Sequence, residues 1–221
     1  MDDKKIAGER AAELIRDGMI VGLGTGSTVY YTMKRISQML ENGLKIKAVS
    51  TSSSTTTIAQ KLGIPLVDLN DVGKIDITID GADEVDSSLN GIKGGGGALL
   101  YEKLVAISSE KVIWVVDSSK IVNQLGEFPL PVEVIPFAYN HILTKFKDMN
   151  LNPRLRINNG DFFITDSQHY IIDLYINKIE YPYELEKTLN SIPGVVEHGL
   201  FINIVDTVII GKDNSLEIVN R

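Results

Sequence analysis

Three segments of this sequence combine residue types that can carry out chemistry, and the first is rich in glycine and hydroxyl groups. Residues 24–28 read Gly-Thr-Gly-Ser-Thr and lie between an apolar strand pattern and a helix pattern. Glycine lets the backbone approach an anion closely, and the start of a helix supplies N–H donors. The spacing matches neither the dinucleotide fingerprint nor the P-loop. The residues alone leave two interpretations open, a tight turn capped by a hydroxyl group or a phosphate site at Thr25, Gly26, Ser27 and Thr28.

The second segment is acidic. Residues 80–86 read Asp-Gly-Ala-Asp-Glu-Val-Asp directly after an apolar strand pattern at 75–79. Carboxylates so close together repel one another unless a cation or a proton intervenes. The segment could therefore act in general acid–base catalysis or bind a divalent metal, or it could be a solvated turn capped by aspartate side chains. Because open sheets place their sites at strand ends, the position favours a function for Asp80 and Asp83.

The third segment joins a lysine to a run of glycines. Residues 93–97 read Lys-Gly-Gly-Gly-Gly and precede a helix pattern that contains Glu102. Ordering consecutive glycines costs much chain entropy, so the run indicates close approach of a backbone or a ligand. On the pattern alone, Glu102 is more often an ordinary solvated helix acid than a catalytic base. Lys120 ends the segment Asp-Ser-Ser-Lys at 117–120, where it could reach an anion or lie on the surface.

The composition excludes several classes of function. The 221 residues include no cysteine, which excludes disulfides, a thiolate nucleophile and cysteine-bound metal. The three histidines lack metal-ligand spacing, so no metal site is predicted on them. A net charge of -7 argues against a nucleic-acid partner. The N-terminus lacks a signal pattern and the apolar runs are too short to cross a membrane, so we expect no membrane partner and a cytoplasmic location.

The order of the predicted elements indicates two kinds of structure. Strand and helix patterns alternate in the first half, which predicts a mostly parallel sheet covered on both faces. After residue 131 the order becomes strand, helix, three strands, helix and strand, which approximates the split β-α-β-β-α-β arrangement when a hairpin is read in the middle. Residues 207–219 are expected to return to the first domain as strands. The predicted strands include 19–23, 46–49, 66–67, 75–79, 112–116, 132–135, 154–157, 162–165, 170–175 and 195–204, and the predicted helices are 6–15, 29–40, 54–62, 98–107, 139–149 and 183–189.

One stretch of biased composition is part of this pattern. Residues 50–57 are almost all serine and threonine and lie between a predicted strand and a predicted helix. Because Ser and Thr side chains accept hydrogen bonds from the first free N–H groups of a helix, the stretch is interpreted as a loop with an N-cap.

Taken in order, the segments resemble the type A ribose-5-phosphate isomerase family over essentially the whole chain. The resemblance is carried by 24–28, 80–84, 93–97 with Glu102-Lys103, and 117–120, and outside the site by 128–136 and 192–196. One departure is Gly97, where many members carry alanine. The resemblance implies an α/β fold: a Rossmann-like, mostly parallel sheet domain at 1–130 and 205–221, and an inserted smaller α+β (ferredoxin-like) domain at 131–204.

The resemblance also implies an activity. Members interconvert D-ribose 5-phosphate and D-ribulose 5-phosphate through an enediolate in the non-oxidative pentose phosphate pathway, without cofactor or metal, as homodimers or homotetramers. By resemblance Glu102 is the general base, and Asp80, Asp83 and Lys93 assist ring opening and proton movement between the two oxygens. The positions that match substrate-binding residues are Thr25, Gly26, Ser27, Thr28, Gly81, Ala82, Gly94, Gly95, Gly96 and Lys120.

Two other functions are compatible with parts of the pattern. A CoA-transferase-like enzyme would use a glutamate as nucleophile, but this chain is short for one. A sugar-phosphate sensor module would predict an attached DNA-binding region and loss of the base, whereas no helix-turn-helix segment is left over and Glu102 is present. The sequence therefore favours the isomerase.

Overall fold

The computed structural model describes residues 3–221, and these fall into two units that each pack internally. The first unit holds the described residues up to Ala82 together with Tyr101–Ile121 and Asn203–Arg221. The second unit holds Asp83–Leu100 and Val122–Ile202. The chain therefore leaves the first unit twice and returns to it twice. The domain boundaries that the resemblance implies stay a prediction.

Helices and strands follow one another along the chain much as the patterns predict. In chain order they are α1 (Asp3–Ala12), β1 (Ile20–Leu23), α2 (Ser27–Glu41), β2 (Lys47–Ser50), α3 (Ser53–Lys61), β3 (Ile77–Asp80), β4 (Glu84–Val85), β5 (Gly91–Ile92), α4 (Leu99–Ile107), β6 (Val112–Asp117), β7 (Leu130–Val134), α5 (Tyr139–Asp148), β8 (Pro153–Leu155), β9 (Ile157–Asn158), β10 (Asp161–Phe162), β11 (Tyr170–Leu174), α6 (Pro182–Asn190), β12 (Val195–His198), β13 (Leu200–Phe201), β14 (Thr207–Lys212) and β15 (Ser215–Asn220). Short 3₁₀ turns lie at Leu69–Asp71 and Ser118–Lys120.

Six strands of the first unit form one sheet in the order β15-β14-β6-β3-β1-β2. Every neighbouring pair is parallel except β14 with β15, which is antiparallel. The predicted α/β fold with a mostly parallel sheet is therefore confirmed, and the last segment returns to this sheet. Five of the six residues of β6 are buried, as expected for a strand covered on both faces, and Trp114 is part of the core.

Helix α2 shows why the apolar pattern of this unit produces a helix. Val29, Met33 and Ile36 are buried and recur at a spacing of three or four residues, so they lie on one face. They pack in one core with strand residues that include Leu23 and Ile79. Only three residues, 24–26, separate the end of β1 from the start of α2.

The second unit contains a four-stranded antiparallel sheet in the order β12-β7-β11-β8. Its elements follow one another as β7, α5, β8, β11, α6 and β12, which is the β-α-β-β-α-β arrangement that the sequence predicts. The core of this unit is apolar and includes Leu130, Phe146, Ile172, Leu174 and Leu189. A three-stranded sheet, β13-β5-β4, and the hairpin of β9 with β10 complete the unit.

Four predicted strands are markedly shorter or interrupted. Of the predicted strand 162–165 only Phe162 lies in a strand, β10, and Ile164 forms a single bridge with Tyr170. Residues 66–67 contribute only a single bridge, between Leu66 and Ala48. The stretch 154–157 is divided at Arg156 between β8 and β9. The stretch 195–204 breaks after His198 because the Gly199 N–H donates to the carbonyl of Pro131, while the Gly199 carbonyl accepts from the Lys93 N–H. These two bonds carry the chain from the four-stranded sheet into the three-stranded one.

None of the helices within residues 3–221 is long and apolar enough to cross a lipid bilayer.

One buried acid makes the stability of the second unit depend on pH. Burial raises the pKa of the Glu133 carboxyl above its ordinary value of 4.5, and Glu197 adds to the rise. Hydrogen bonds from His169 Nδ1 and Thr165 Oγ1 to Glu133 Oε1, each 2.9 Å long, oppose it. Above pH 4.5 the unfolded chain has lost this proton while the folded chain still holds it, so stability falls as pH rises through the folded-state pKa.

We expect Glu133→Gln to flatten this part of the pH dependence. An amide does not titrate, so the slope of unfolding free energy that one proton contributes, at most about 1.4 kcal/mol per pH unit, is removed above pH 4.5. Urea unfolding at several pH values measures it, with the exposed Glu127→Gln as control. An unchanged slope in Glu133→Gln would contradict the assignment.

Candidate active site

The carboxylate of Asp80 joins the ends of two neighbouring strands in the first unit. Its Oδ1 accepts hydrogen bonds from the N–H groups of Gly81, at 2.7 Å, and Thr25, at 3.1 Å. The Gly24 N–H donates to the carbonyl of Ile79 at 2.9 Å. A Cβ at position 24 would overlap the Asp80 carboxylate, so glycine is required there by close approach. These contacts therefore join the glycine-rich loop directly to the start of the acidic segment.

Hydroxyl groups from the serine- and threonine-rich stretch surround the Thr25 side chain. Thr25 Oγ1 lies 3.0 Å from Thr51 Oγ1, 2.8 Å from Ser52 Oγ and 3.1 Å from Thr55 Oγ1. Ser52 caps α3 by accepting from the Thr55 N–H, which confirms the predicted N-cap. Thr55 Oγ1 in turn donates to the Gly24 carbonyl at 2.9 Å. The stretch thus supports the glycine-rich loop from one side.

The start of α2 has the features of an anion site. Gly26 precedes the helix and Ser27 begins it, and both are exposed, whereas Thr28 is buried. The first N–H groups of a helix carry partial positive charge and have no partner within the helix. Lys4 Nζ donates to Ser27 Oγ at 3.2 Å, which adds a full positive charge.

Lys4 is a residue that sequence reasoning missed, because it lies 23 positions from Ser27 and belongs to no motif. Its ammonium is also 3.9 Å from the carboxylate of Asp117. Helix α1 comes close to α2 at Gly8, where a Cβ would lie 2.6 Å from the Thr28 carbonyl. A glycine inside a helix pattern was the one available signal of this close packing.

Two further predicted residues belong to the first unit: Glu102 on α4, and Lys120 on the 3₁₀ turn after β6. Glu102 is in the first turn of α4 and is only 4% exposed. The pattern alone favours a solvated helix acid at this position, and that interpretation is wrong. Lys120 is half-buried in the 3₁₀ turn after β6. That turn is held by Asp117, whose Oδ1 accepts from the Ser119 N–H at 3.0 Å.

In the second unit, Asp83 is tied to the glycine run. Its Oδ2 accepts from the Gly95 N–H at 2.8 Å, and its own N–H donates to the Ile92 carbonyl. Lys93 is only 3% exposed, and its Nζ lies 5.6 Å from the centroid of the Phe201 ring. Lys93 is therefore not a surface lysine.

The glycine run itself forms a tight turn. The Gly97 N–H donates to the Gly94 carbonyl at 2.9 Å, and both glycines have positive φ, 101° at Gly94 and 80° at Gly97. Gly95 and Gly96, the central residues, are exposed. A Cβ at Gly97 would overlap the ring of Phe163, which gives the fourth glycine a physical reason in this chain. The backbone between Gly94 and Gly97 is thus presented on the surface of the unit.

Two other acids of the acidic segment, Glu84 and Asp86, accept hydrogen bonds from the N–H groups of loops. Glu84 is buried and its two carboxylate oxygens accept from the N–H groups of Gly126 and Phe128. Asp86 Oδ1 caps the turn between β4 and β5 by accepting from the N–H groups of Ser88 and Asn90, each at 2.9 Å. Both residues therefore hold loops. Within residues 3–221, no group of three or more His, Asp or Glu side chains is arranged to hold a metal ion.

The geometry defines an α/β protein whose mostly parallel sheet carries a glycine-rich loop and a buried acid, Asp80, at neighbouring strand ends. A sequence profile described as ribose 5-phosphate isomerase A (phosphoriboisomerase A) matches residues 47–215. The chain belongs to the ribose 5-phosphate isomerase A family.

Full-length relatives agree with this assignment. Ribose-5-phosphate isomerase A of Listeria monocytogenes is 51% identical over 224 residues, covering 100% of both chains, and that of Levilactobacillus brevis is 49% identical over 98% of this chain and 96% of its own.

Solved structures agree as well. Ribose 5-phosphate isomerase A of Methanocaldococcus jannaschii superposes with a TM-score of 0.95 at 38% identity, over 100% of this chain and 99% of that one. A D-ribose-5-phosphate isomerase in complex with phospho-erythronic acid superposes with a TM-score of 0.96 at 40% identity, over 100% and 98%. The Rossmann-like fold expected from the resemblance is confirmed.

Gly24→Ala tests the close contact between the loop and Asp80. The added methyl group overlaps the carboxylate, so we expect a loss of about 1–3 kcal/mol of unfolding free energy and about a 10- to 100-fold fall in kcat/KM for ribose 5-phosphate. Urea unfolding and steady-state kinetics measure both. Gly73→Ala is the control, because a Cβ there meets no atom within 4 Å. Equal kinetics in the two variants would show that the contact does not matter.

Proposed function

We propose that this protein interconverts D-ribose 5-phosphate and D-ribulose 5-phosphate, a reaction of the non-oxidative pentose phosphate pathway. The observation that carries the proposal is Glu102, a carboxylate buried in the first turn of α4, in a chain that belongs to this enzyme family. Neither a CoA-transferase nor a sensor module is favoured, because the full-length relatives are isomerases.

The reaction moves one proton between two neighbouring carbons. A base removes the proton from the carbon next to the carbonyl, an enediolate forms, and the proton returns to the former carbonyl carbon. We assign this base to Glu102. Burial excludes water from its carboxylate, which strengthens the electrostatic interactions that orient it.

The oxygen atoms of the substrate need their own proton transfers and a stabiliser for developing negative charge. We assign ring opening and proton movement between the oxygens to Asp80, Asp83 and Lys93. Both carboxylates are already held by backbone N–H groups, Asp80 by Thr25 and Gly81, and Asp83 by Gly95. A side chain held in this way keeps its orientation without reorganising during the reaction.

The phosphate group is assigned to the start of α2. Ser27 Oγ and Lys4 Nζ lie 3.2 Å apart there, and the first N–H groups of a helix have no partner within the helix. Thr25, Gly26 and Thr28 complete this phosphate site. Lys120 is assigned to the substrate as a second cation, and Gly81, Ala82 and the backbone of residues 94–96 contribute contacts to the sugar.

Partners and location follow from the same proposal. The substrate is a small sugar phosphate, and we propose a cytoplasmic enzyme that acts as a homodimer or homotetramer without cofactor or metal. An apolar stripe on α4 supports self-association, because Tyr101, Leu104 and Ile107 recur every three residues and are exposed.

The protein should turn over ribose 5-phosphate after treatment with a chelator, and Glu102→Gln should not. Losing a general base lowers kcat by about 10²- to 10⁴-fold, while the amide keeps the shape of the side chain. Kinetics and calorimetric titration with ribose 5-phosphate separate turnover from binding. Exposed Glu110→Gln is the control. Absence of turnover in the unaltered protein would overturn the function, and a normal kcat in Glu102→Gln would remove Glu102 as the base.

Lys4→Met tests the phosphate site. A charge-assisted hydrogen bond is worth about 1.5–3 kcal/mol, so we expect KM for ribose 5-phosphate to rise about 10- to 100-fold with little change in kcat. The adjacent Lys5 is exposed and pairs with Glu9, which makes Lys5→Met a matched control. If KM rose equally in both variants, the cause would be the general loss of positive charge and not the loss of a contact with the phosphate.

A further inference from the structure

Arg156 is the residue that divides the predicted strand 154–157, and its side chain is held by an acid. Its Nε donates to Asp173 Oδ2 at 2.8 Å, and its Nη2 donates to Asp173 Oδ1. The side chains are only 14% and 13% exposed. Two parallel hydrogen bonds between a planar guanidinium and a carboxylate fix the direction in which the remaining nitrogen points.

That nitrogen, Nη1, points at the glycine turn. It donates to the carbonyl oxygen of Gly94 at 2.9 Å and to that of Gly95 at 3.1 Å. The carbonyl of Gly94 and the N–H of Gly95 belong to one peptide group, and this N–H donates to Asp83 Oδ2 at 2.8 Å. The peptide group is therefore held at both ends, by Arg156 on its oxygen and by Asp83 on its nitrogen.

The next peptide group is oriented by the same contact. In a trans peptide the carbonyl and the N–H point in opposite directions. Because Arg156 holds the Gly95 carbonyl, the Gly96 N–H faces away from the guanidinium. Gly95 and Gly96 are exposed, and glycine would otherwise let these peptide groups rotate over a wide range.

We propose that Arg156 is a positioning residue: it sets the peptide groups of Gly94, Gly95 and Gly96, and through the Gly95 N–H it sets Asp83, for the isomerisation. The inference rests on the proposed function, which assigns Asp83 and the glycine backbone to the substrate. Arg156 itself does not contact the substrate. It orders the glycine turn before the substrate binds, so that binding does not have to offset the loss of conformational entropy of the turn.

Only arginine fits this position. A lysine offers one ammonium, which cannot face a carboxylate and two carbonyl oxygens in fixed directions at the same time. Phe163 supports the arrangement, with its ring centroid 5.6 Å from the guanidinium carbon. The ring comes next to the turn because position 97 has no Cβ. The fourth glycine and the arginine thus belong to one packed group.

The test compares Arg156→Met and Arg156→Lys with Arg154→Met. Arg154 lies two residues earlier, on β8, and stacks on Tyr175 at 4.2 Å from the ring centroid, so it controls for loss of a nearby charge. We expect kcat for ribose 5-phosphate to fall about 10- to 100-fold in Arg156→Met, with a smaller fall in Arg156→Lys, and to stay within about twofold in Arg154→Met. Ethylguanidinium in the assay should partly restore kcat in Arg156→Met only.

A second readout does not depend on activity. Hydrogen exchange of the amides of Gly95 and Gly97 should be at least about 10-fold faster in Arg156→Met than in the unaltered protein and in Arg154→Met, because both donors lose their fixed acceptors. Arg156→Lys, which keeps the charge beside Asp173, gives the same readout if Arg156→Met fails to fold.

The outcomes separate this inference from the proposed function. If the unaltered protein is active and Arg156→Met matches Arg154→Met in kcat and in exchange, Arg156 has no positioning role. A fall in stability alone, with normal kcat and no rescue by ethylguanidinium, also overturns the inference. If the unaltered protein is inactive, the proposed function fails, and unchanged exchange at Gly95 and Gly97 then overturns the inference as well.

Discussion

One carboxylate oxygen, Asp80 Oδ1, holds together the end of the parallel sheet at which β1 and β3 finish. It accepts the N–H groups of both Thr25 and Gly81, and so it joins the end of β1 to the end of β3. The neighbouring position 24 has to be glycine because the carboxylate occupies the space of a side chain. The loop that carries this contact leads directly into the start of α2, where we propose that the phosphate binds. Without it, the loop would have to be ordered by the substrate.

In the second unit, carboxylates also hold loops by accepting hydrogen bonds from backbone N–H groups. Asp83 holds the turn of residues 94–97 through the Gly95 N–H, and Glu84 holds a loop through the N–H groups of Gly126 and Phe128. Glycine-rich loops have little conformational preference of their own, so each needs an external acceptor for its N–H groups. Asp80 and Asp83 supply these acceptors for the two glycine-rich loops, and Glu84 of the same short segment does so for the loop at Gly126. The acidity of that segment is therefore largely a requirement of the loops around it.

Regular elements could be predicted from the sequence because their patterns are local. The buried run of β6 and the spacing of Val29, Met33 and Ile36 each identify an element without knowledge of its neighbours. The two-residue strands β4 and β5 were missed because two residues show no period. The burial of Glu102 was missed because it depends on tertiary packing, and Lys4 and Arg156 because their partners lie 23 and about 60 residues away. The roles assigned to the site residues stay predictions.

The proposed substrate orientation depends most on where the phosphate group binds. A crystal structure of Glu102→Gln soaked with ribose 5-phosphate measures this directly, since the variant should bind the sugar without converting it. We predict a phosphate oxygen within hydrogen-bond distance of both Ser27 Oγ and Lys4 Nζ, at the first N–H groups of α2. A phosphate bound away from residues 25–28 would contradict the assignment of this loop.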